Sequence, residues 1–184
     1  MTRMKKSAKP RLDKKTEARF TWRKSSSHSR RELEEFGPGK SGIILCSEGD
    51  AAYYQKAWHH DLEKYRELSE EKSVTFKLCP FHELKKSRRW EGEVRLIDIP
   101  EEFRSDILRA AENVSNEARR RDPMHGILDI QKRRNAISIY TSENQLAQKI
   151  AKRIRASHKH HILEAIHRGK DSDAVLVLLE WNPK

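Results

Sequence analysis

EVRLIDIPEEFRSDILRAAENVSNEARRRDPMHGILDIQKRRNAISIYTSENQLAQKIAKRI, residues 93–154, is the stretch on which the fold turns. Val94–Ile99 is short and rich in apolar residues, and reads as a strand. Pro100 with Glu101 and Glu102 opens a helix, because proline fits the first turn and acids favour the positive end of the helix dipole. Phe103, Ile107, Ala111, Val114 and Ala118 recur at helical spacing and make one apolar stripe. Arg119, Arg120 and Arg121 fall in the last turn, and Asp122-Pro123 stops the helix. Ile127–Gln131 and Ala136–Thr141 are two strands around the tip Lys132-Arg133-Arg134-Asn135, with Ile137 and Ile139 alternating with Ser138 and Tyr140. Ser142 and Gln145 match a capping box, which predicts a second helix with Leu146, Ala147, Ile150 and Ile154 inward.

Downstream, Ile162–Ile166 and Val175–Trp181 read as a hairpin around Arg168-Gly169-Lys170-Asp171. The order from residue 93 is therefore β-α-β-β-α-β-β. That is the split pattern of a ferredoxin-like sandwich with one extra strand, two helices covering one face of an antiparallel sheet. Tyr140 is the one aromatic in the expected central strands, so a base-stacking sheet is not expected.

Upstream, Ile43–Cys46 reads as a strand and Ala52–Trp58 as its partner. Asp61–Glu71 suits a charged surface helix with Leu62, Tyr65 and Leu68 three residues apart. Val74, Phe76 and Leu78 alternate with Thr75 and Lys77, which predicts a strand with one buried face. His82–Trp90 is basic and reads as helical. The fold class expected is α+β, with residues 1–40 a disordered basic arm and linker, 41–92 a zinc-ribbon-like segment and 93–184 the sandwich.

The chain has 184 residues and a formal net charge of +11. Residues 1–30 carry eleven Lys or Arg against Asp13 and Glu17, a surplus of +9 that leaves +2 for the rest. So charged and so poor in apolar residues, this segment cannot offset its ordering entropy. A mobile basic arm suits a polyanion, since neutralising phosphates releases counterions. Phe20 and Trp22 lie among its cations and are placed to stack on bases. Lys149, Lys152 and Arg153 share one face of the second helix, and Arg133 and Arg134 sit at a hairpin tip. Each set is either a solvated face or a contact for RNA backbone. Lys85, Lys86, Arg88 and Arg89 form a further basic run. The expected nucleic-acid contacts are Lys5, Lys6, Arg11, Lys14, Lys15, Arg23 and Lys24 in the arm, with Arg133, Arg134, Lys149, Lys152 and Arg153 in the folded part.

No apolar run is long enough for a membrane helix, and the basic N-terminus has no apolar core of a secretory signal. Two cysteines make no disulfide scaffold, so the expected setting is the reducing cytoplasm. Gly39-Lys40-Ser41 lacks the earlier glycine of a phosphate loop, and His82-Glu83-Leu84-Lys85-Lys86 lacks the second histidine of a zinc protease. No small-molecule site is evident. His158-Lys159-His160-His161 is either a metal-binding cluster or a polar exit from the helix.

Cys46-Ser47-Glu48-Gly49 and Cys79-Pro80-Phe81-His82 carry the metal chemistry. Zinc takes four nitrogen or sulfur ligands, often as two knuckles of C-x2-C or C-x2-H spacing. Cys79 and His82 have that spacing, whereas the partner of Cys46 is replaced by Gly49. Glu48, Asp50, His59 or His60 are the candidates for a fourth ligand. The readings are a zinc site on Cys46, Cys79 and His82, or a metal-free relic of one.

With these motifs the chain resembles a group of small bacterial zinc-ribbon proteins that have a basic N-terminus, two knuckles and an α/β domain. That group is similar to the N-terminal region of the nonsense-mediated-decay-protein-three family, adaptors of the large ribosomal subunit. The matching stretches are Leu45–Trp58, Cys79–His82, Asp122–Ile130, Tyr140–Ala147 and the ending Leu179-Glu180-Trp181. Gly49 and His82 stand where the family has knuckle cysteines. The resemblance implies association with RNA or the large ribosomal subunit, without catalysis. The alternatives are an interaction module whose arm docks an acidic partner, and a metal-dependent hydrolase built on the cysteine site.

Overall fold

The computed structural model describes residues 23–24, 43–54, 57–60, 74–168 and 174–182. It is an α+β molecule with two larger mixed sheets and three helices among the described residues. The expected helix at Asp61–Glu71 and residues 169–171 of the expected C-terminal hairpin tip lie outside these residues. Of residues 1–40, only the backbone of β1 (Arg23–Lys24) is described, and it pairs in parallel with β6 (Arg89–Trp90).

The larger sheet contains β7 (Gly92–Ile97), β8 (Ile127–Lys132), β9 (Ala136–Thr141), β10 (Ile162–Arg168) and β11 (Val175–Trp181), in the order β10-β11-β7-β9-β8. Helices α2 (Glu101–Arg121) and α3 (Asn144–Ser157) cover one face. Ile107 and Ala111 from α2 and Leu146, Ala147, Ile150 and Ile154 from α3 meet Val94, Leu96, Ile137, Ile139, Val177 and Leu179 in one core. The Ile127 N–H donates to the Ser115 hydroxyl at 2.9 Å, pinning α2 to the start of β8.

Two expectations for this sheet are corrected. It is mixed, not antiparallel, because β11 runs parallel to β7 and pushes β10 to the edge. Val175–Leu179 is an unbroken apolar run, and such a strand is stable only with both faces covered. The opposite face is indeed buried at its centre: Arg95, Ser138, Tyr140 and Leu178 are 0–4% exposed. Arg95 donates from Nε to Glu93 at 2.8 Å within that face. Tyr140 packs against Trp90 with centroids 6.0 Å apart, so its ring offers no surface to a base. The second correction concerns the α3 cap. Glu143 is the N-cap residue, with no side-chain cap bond. Ser142 instead accepts the Gly126 N–H at 3.0 Å and donates its own N–H to the Gly126 carbonyl, tying two loops together.

The smaller sheet has the order β4-β3-β2-β5, from β2 (Ile43–Cys46), β3 (Ala51–Tyr54), β4 (Ala57–His60) and β5 (Val74–Lys77). The expected single strand at Ala52–Trp58 is two antiparallel strands, Ala51 pairing with His60 and Tyr54 with Ala57. β5 forms, parallel to β2, but has no buried face: Phe76 is 67% exposed and Val74 50%. It lies at the sheet edge, where alternation meets no second layer. The helix expected at His82–Trp90 starts and ends earlier, as α1 (Pro80–Ser87). Arg88 takes a left-handed backbone (φ 51°) to cap it, and β6 follows.

The smaller sheet docks on the C-terminal end of α2. His60 Nε2 donates to the Arg119 carbonyl, one of the helix-end acceptors without an internal partner. Arg119 also pairs with Asp50 at 3.7 Å and lies 4.8 Å over the Phe81 ring. Beneath these contacts Cys46, Ala51, Cys79, Phe81, Leu84, Trp90, Leu128 and Tyr140 form a second core joining both sheets.

Candidate functional site

Cys46 ends β2, Cys79 is the N-cap residue of α1, and His82 lies in that helix's first turn. The 79/82 spacing works because Pro80 starts the helix and one turn returns His82 to the side of Cys79. The parallel pairing of β2 with β5 delivers Cys46 beside them, through the partners Cys46 and Lys77. The two thiols and the imidazole converge, their donor atoms all within 4.8 Å of one another. Nδ1 of His82 stands 3.1 Å from Cys79 Sγ and 3.3 Å from Cys46 Sγ. The Cys79 N–H, at the helix start, donates to Cys46 Sγ at 3.4 Å.

Among the described residues this is the one group of three or more His, Cys, Asp or Glu whose donors converge, and it could hold a metal ion. Tetrahedral zinc with its ordinary bond lengths would set nitrogen and sulfur roughly 3.6 Å apart. The observed 3.1 and 3.3 Å require the donors to part by a few tenths of an ångström. The donor set, two thiols and an imidazole, is of the kind zinc takes. Burial pushes the Cys79 thiol up to about 12, against the lowering by backbone hydrogen bonds. Burial, and then the Arg119 guanidinium, hold His82 below the usual histidine value. Without an ion the thiol keeps its proton, and an ion entering must displace it.

None of the candidate fourth ligands joins the group. Glu48 pairs with Lys86 at 3.8 Å. Asp50 faces His60 and Arg119, each at 3.7 Å. His59 Nε2 donates to the Tyr54 carbonyl at 3.0 Å, and His60 is held by α2. Position 49 faces the His82 ring.

Two of the C-terminal histidines, His158 and His161, pack on aromatic rings. His161 stacks on Trp181 at 5.0 Å, and Phe103 stacks on Trp181 at 4.8 Å. His158 is edge-on to Phe103, and its Nδ1 donates to the Ile154 carbonyl at 3.2 Å.

Of the expected nucleic-acid contacts, Lys5, Lys6, Arg11, Lys14 and Lys15 lie outside the described residues, and Arg23 and Lys24 are described in backbone only. Arg133 and Arg134 are exposed at the β8–β9 tip, where the Arg134 carbonyl accepts from Arg104. Lys149, Lys152 and Arg153 are exposed on α3. Arg153 lines a groove of about 640 Å³ between α2 and α3, with Arg109 and Arg120 on its α2 wall. Arg120 was hidden in the sequence among three arginines that read only as a helix ending. Its spacing from Asn113, Asn116 and Glu117 along α2 is the signal that places it on the polar groove face.

No helix of the described residues is long and apolar enough to cross a membrane. No protein-family model, curated protein or solved structure matches the chain.

Proposed function

We propose that this protein is a non-enzymatic RNA-associated, ribosome-associated protein, in which basic surfaces bind phosphate backbone and a zinc on Cys46, Cys79 and His82 ties β2 to α1. The observation that carries the RNA reading is the state of the exposed cations. Arg104, Arg109 and Arg155 are paired with Glu101, Asp106 and Glu164. Lys149, Lys152 and Arg153 of α3, and Arg120 across the groove, have no acidic partner among the described residues. Unpaired cations on adjoining helix faces favour a polyanion, and RNA backbone is the polyanion that also suits the basic arm. The fold reading that accompanies it is a degenerate zinc-ribbon-like unit on a ferredoxin-like sandwich, with the last strand inserted beside the first. Zinc is the ion of choice because its thiolate and imidazole ligands match the set present. It would supply no chemistry beyond fixing the end of β2 to the start of α1.

The test is charge reversal on α3. Lys149→Glu, Lys152→Glu and Arg153→Glu together should lower RNA affinity at least tenfold and remove the protein from large-subunit fractions of a sucrose gradient, with the melting temperature unchanged. Unchanged RNA binding would take this surface out of the proposal. Co-sedimentation that survives nuclease would replace RNA with a protein partner.

A further inference from the structure

Position 49 is where the sequence lacks a knuckle ligand, and the structure gives that glycine a physical reason. A Cβ built on Gly49 would lie 2.6 Å from Cε1 of His82, 3.4 Å from Nδ1 and 3.5 Å from Nε2. The backbone of Gly49 does not have the positive φ that favours glycine. A side chain there is therefore crowded by the imidazole, which supplies the three nearest atoms. The ring could swing aside, but only by drawing Nδ1 away from the two sulfurs it now faces at 3.1 and 3.3 Å. With an imidazole at position 82, a side chain at position 49 has no room.

The approach to the donors is as informative. Cys46, Cys79 and His82 are buried, at 6%, 1% and 9% exposure, yet Ser47, Glu48, Gly49 and Asp50 are all exposed. The site lies one backbone layer beneath the surface, under a residue with no side chain. Among the described residues, Glu48, Asp50, His59 and His60, the candidates for a fourth ligand, are engaged elsewhere.

From this we infer that an ion bound here takes three ligands from the described residues, Cys46 Sγ, Cys79 Sγ and His82 Nδ1, and one exchangeable ligand from solvent. This rests on the reading of the cluster as a metal site. It departs from a closed structural site, in which the protein supplies all four ligands.

Co(II) is the probe, since its visible absorption reports ligand type and number in a zinc site. Full-length protein loaded with Co(II) should show a saturable change in that spectrum when imidazole is added. The Gly49→Cys/His82→Cys pair should load Co(II) with four thiolates and show no response to imidazole. Gly49→Ala, which crowds the ring, should weaken Zn(II) binding about tenfold or more, the scale seen when a ligand's orientation is disturbed. Should that variant fail to fold, the imidazole response of the unaltered protein decides alone. A spectrum indifferent to imidazole in the unaltered protein overturns the open position, because the chain then supplies a fourth ligand. Failure to take up either Co(II) or Zn(II) overturns the metal reading itself, and RNA binding measured on the same sample shows whether the rest of the proposed function stands.

Discussion

Ile139 and Phe76 both sit in alternating apolar patterns, yet they contribute very differently. Ile139 is fully buried between the sheet and the helices, and Phe76 is 67% exposed on an edge strand. Removing a buried aliphatic side chain loses its transfer energy and leaves a cavity. Ile139→Ala should therefore cost about 2–5 kcal/mol in urea unfolding. Phe76→Ala should stay within about 0.5 kcal/mol of the unaltered protein, as expected for an exposed side chain with little packing. The same contrast explains what was legible at the candidate metal centre. The 79/82 spacing announced two candidate donors, because one helical turn returns the chain to the same side. The contribution of Cys46 was legible only as a residue type. Which of Glu48, Asp50, His59 and His60 could join it depended on contacts made by other elements, above all α2.

Helix ends show where local rules yield to neighbours. α2 begins and ends where proline, acids and arginines place it, and its apolar stripe is the buried one. The α3 start has the residues of a capping box, but Ser142 is taken by Gly126, a contact from across the fold. At the end of α1, Arg88 occupies a left-handed conformation that costs an L-residue about 1–2 kcal/mol. Its side chain is exposed, so Arg88→Gly should raise unfolding free energy by about 0.5–1 kcal/mol, glycine's extra unfolded entropy offsetting part of the gain. The docking of the smaller sheet rests on His60 and the last turn of α2. His60→Ala should cost about 1 kcal/mol. Hydrogen exchange should quicken at Ala57–His60 while the β7–β9 ladder keeps its protection.

For the molecule as a whole, the charge surplus is divided between the arm and the folded part, and salt dependence separates the two. Each phosphate of single-stranded RNA that a cation neutralises adds about 0.7 to the steepness of log affinity against log salt. If Lys149, Lys152 and Arg153 each meet a phosphate, their triple reversal should flatten that slope by about 2 while affinity from the arm persists. A slope that does not change would assign all the binding to other cations. The groove between α2 and α3 belongs to this scale too, since Arg120 and Arg153 are 33 residues apart in the chain and meet only because the helices pack side by side.

By itself the sequence determined the order of the elements from residue 93, the register of apolar stripes and the identity of the thiol and imidazole donors. These follow from periodicity and from spacings within one turn, which act between near neighbours. The tertiary structure alone decided that β11 lies parallel beside β7, that β5 is an exposed edge, and that Gly49 faces His82. The reason is the same in each case. Pairing partners, second-face burial and ligand convergence are long-range contacts, set by which surfaces must be covered together, and no local pattern carries them.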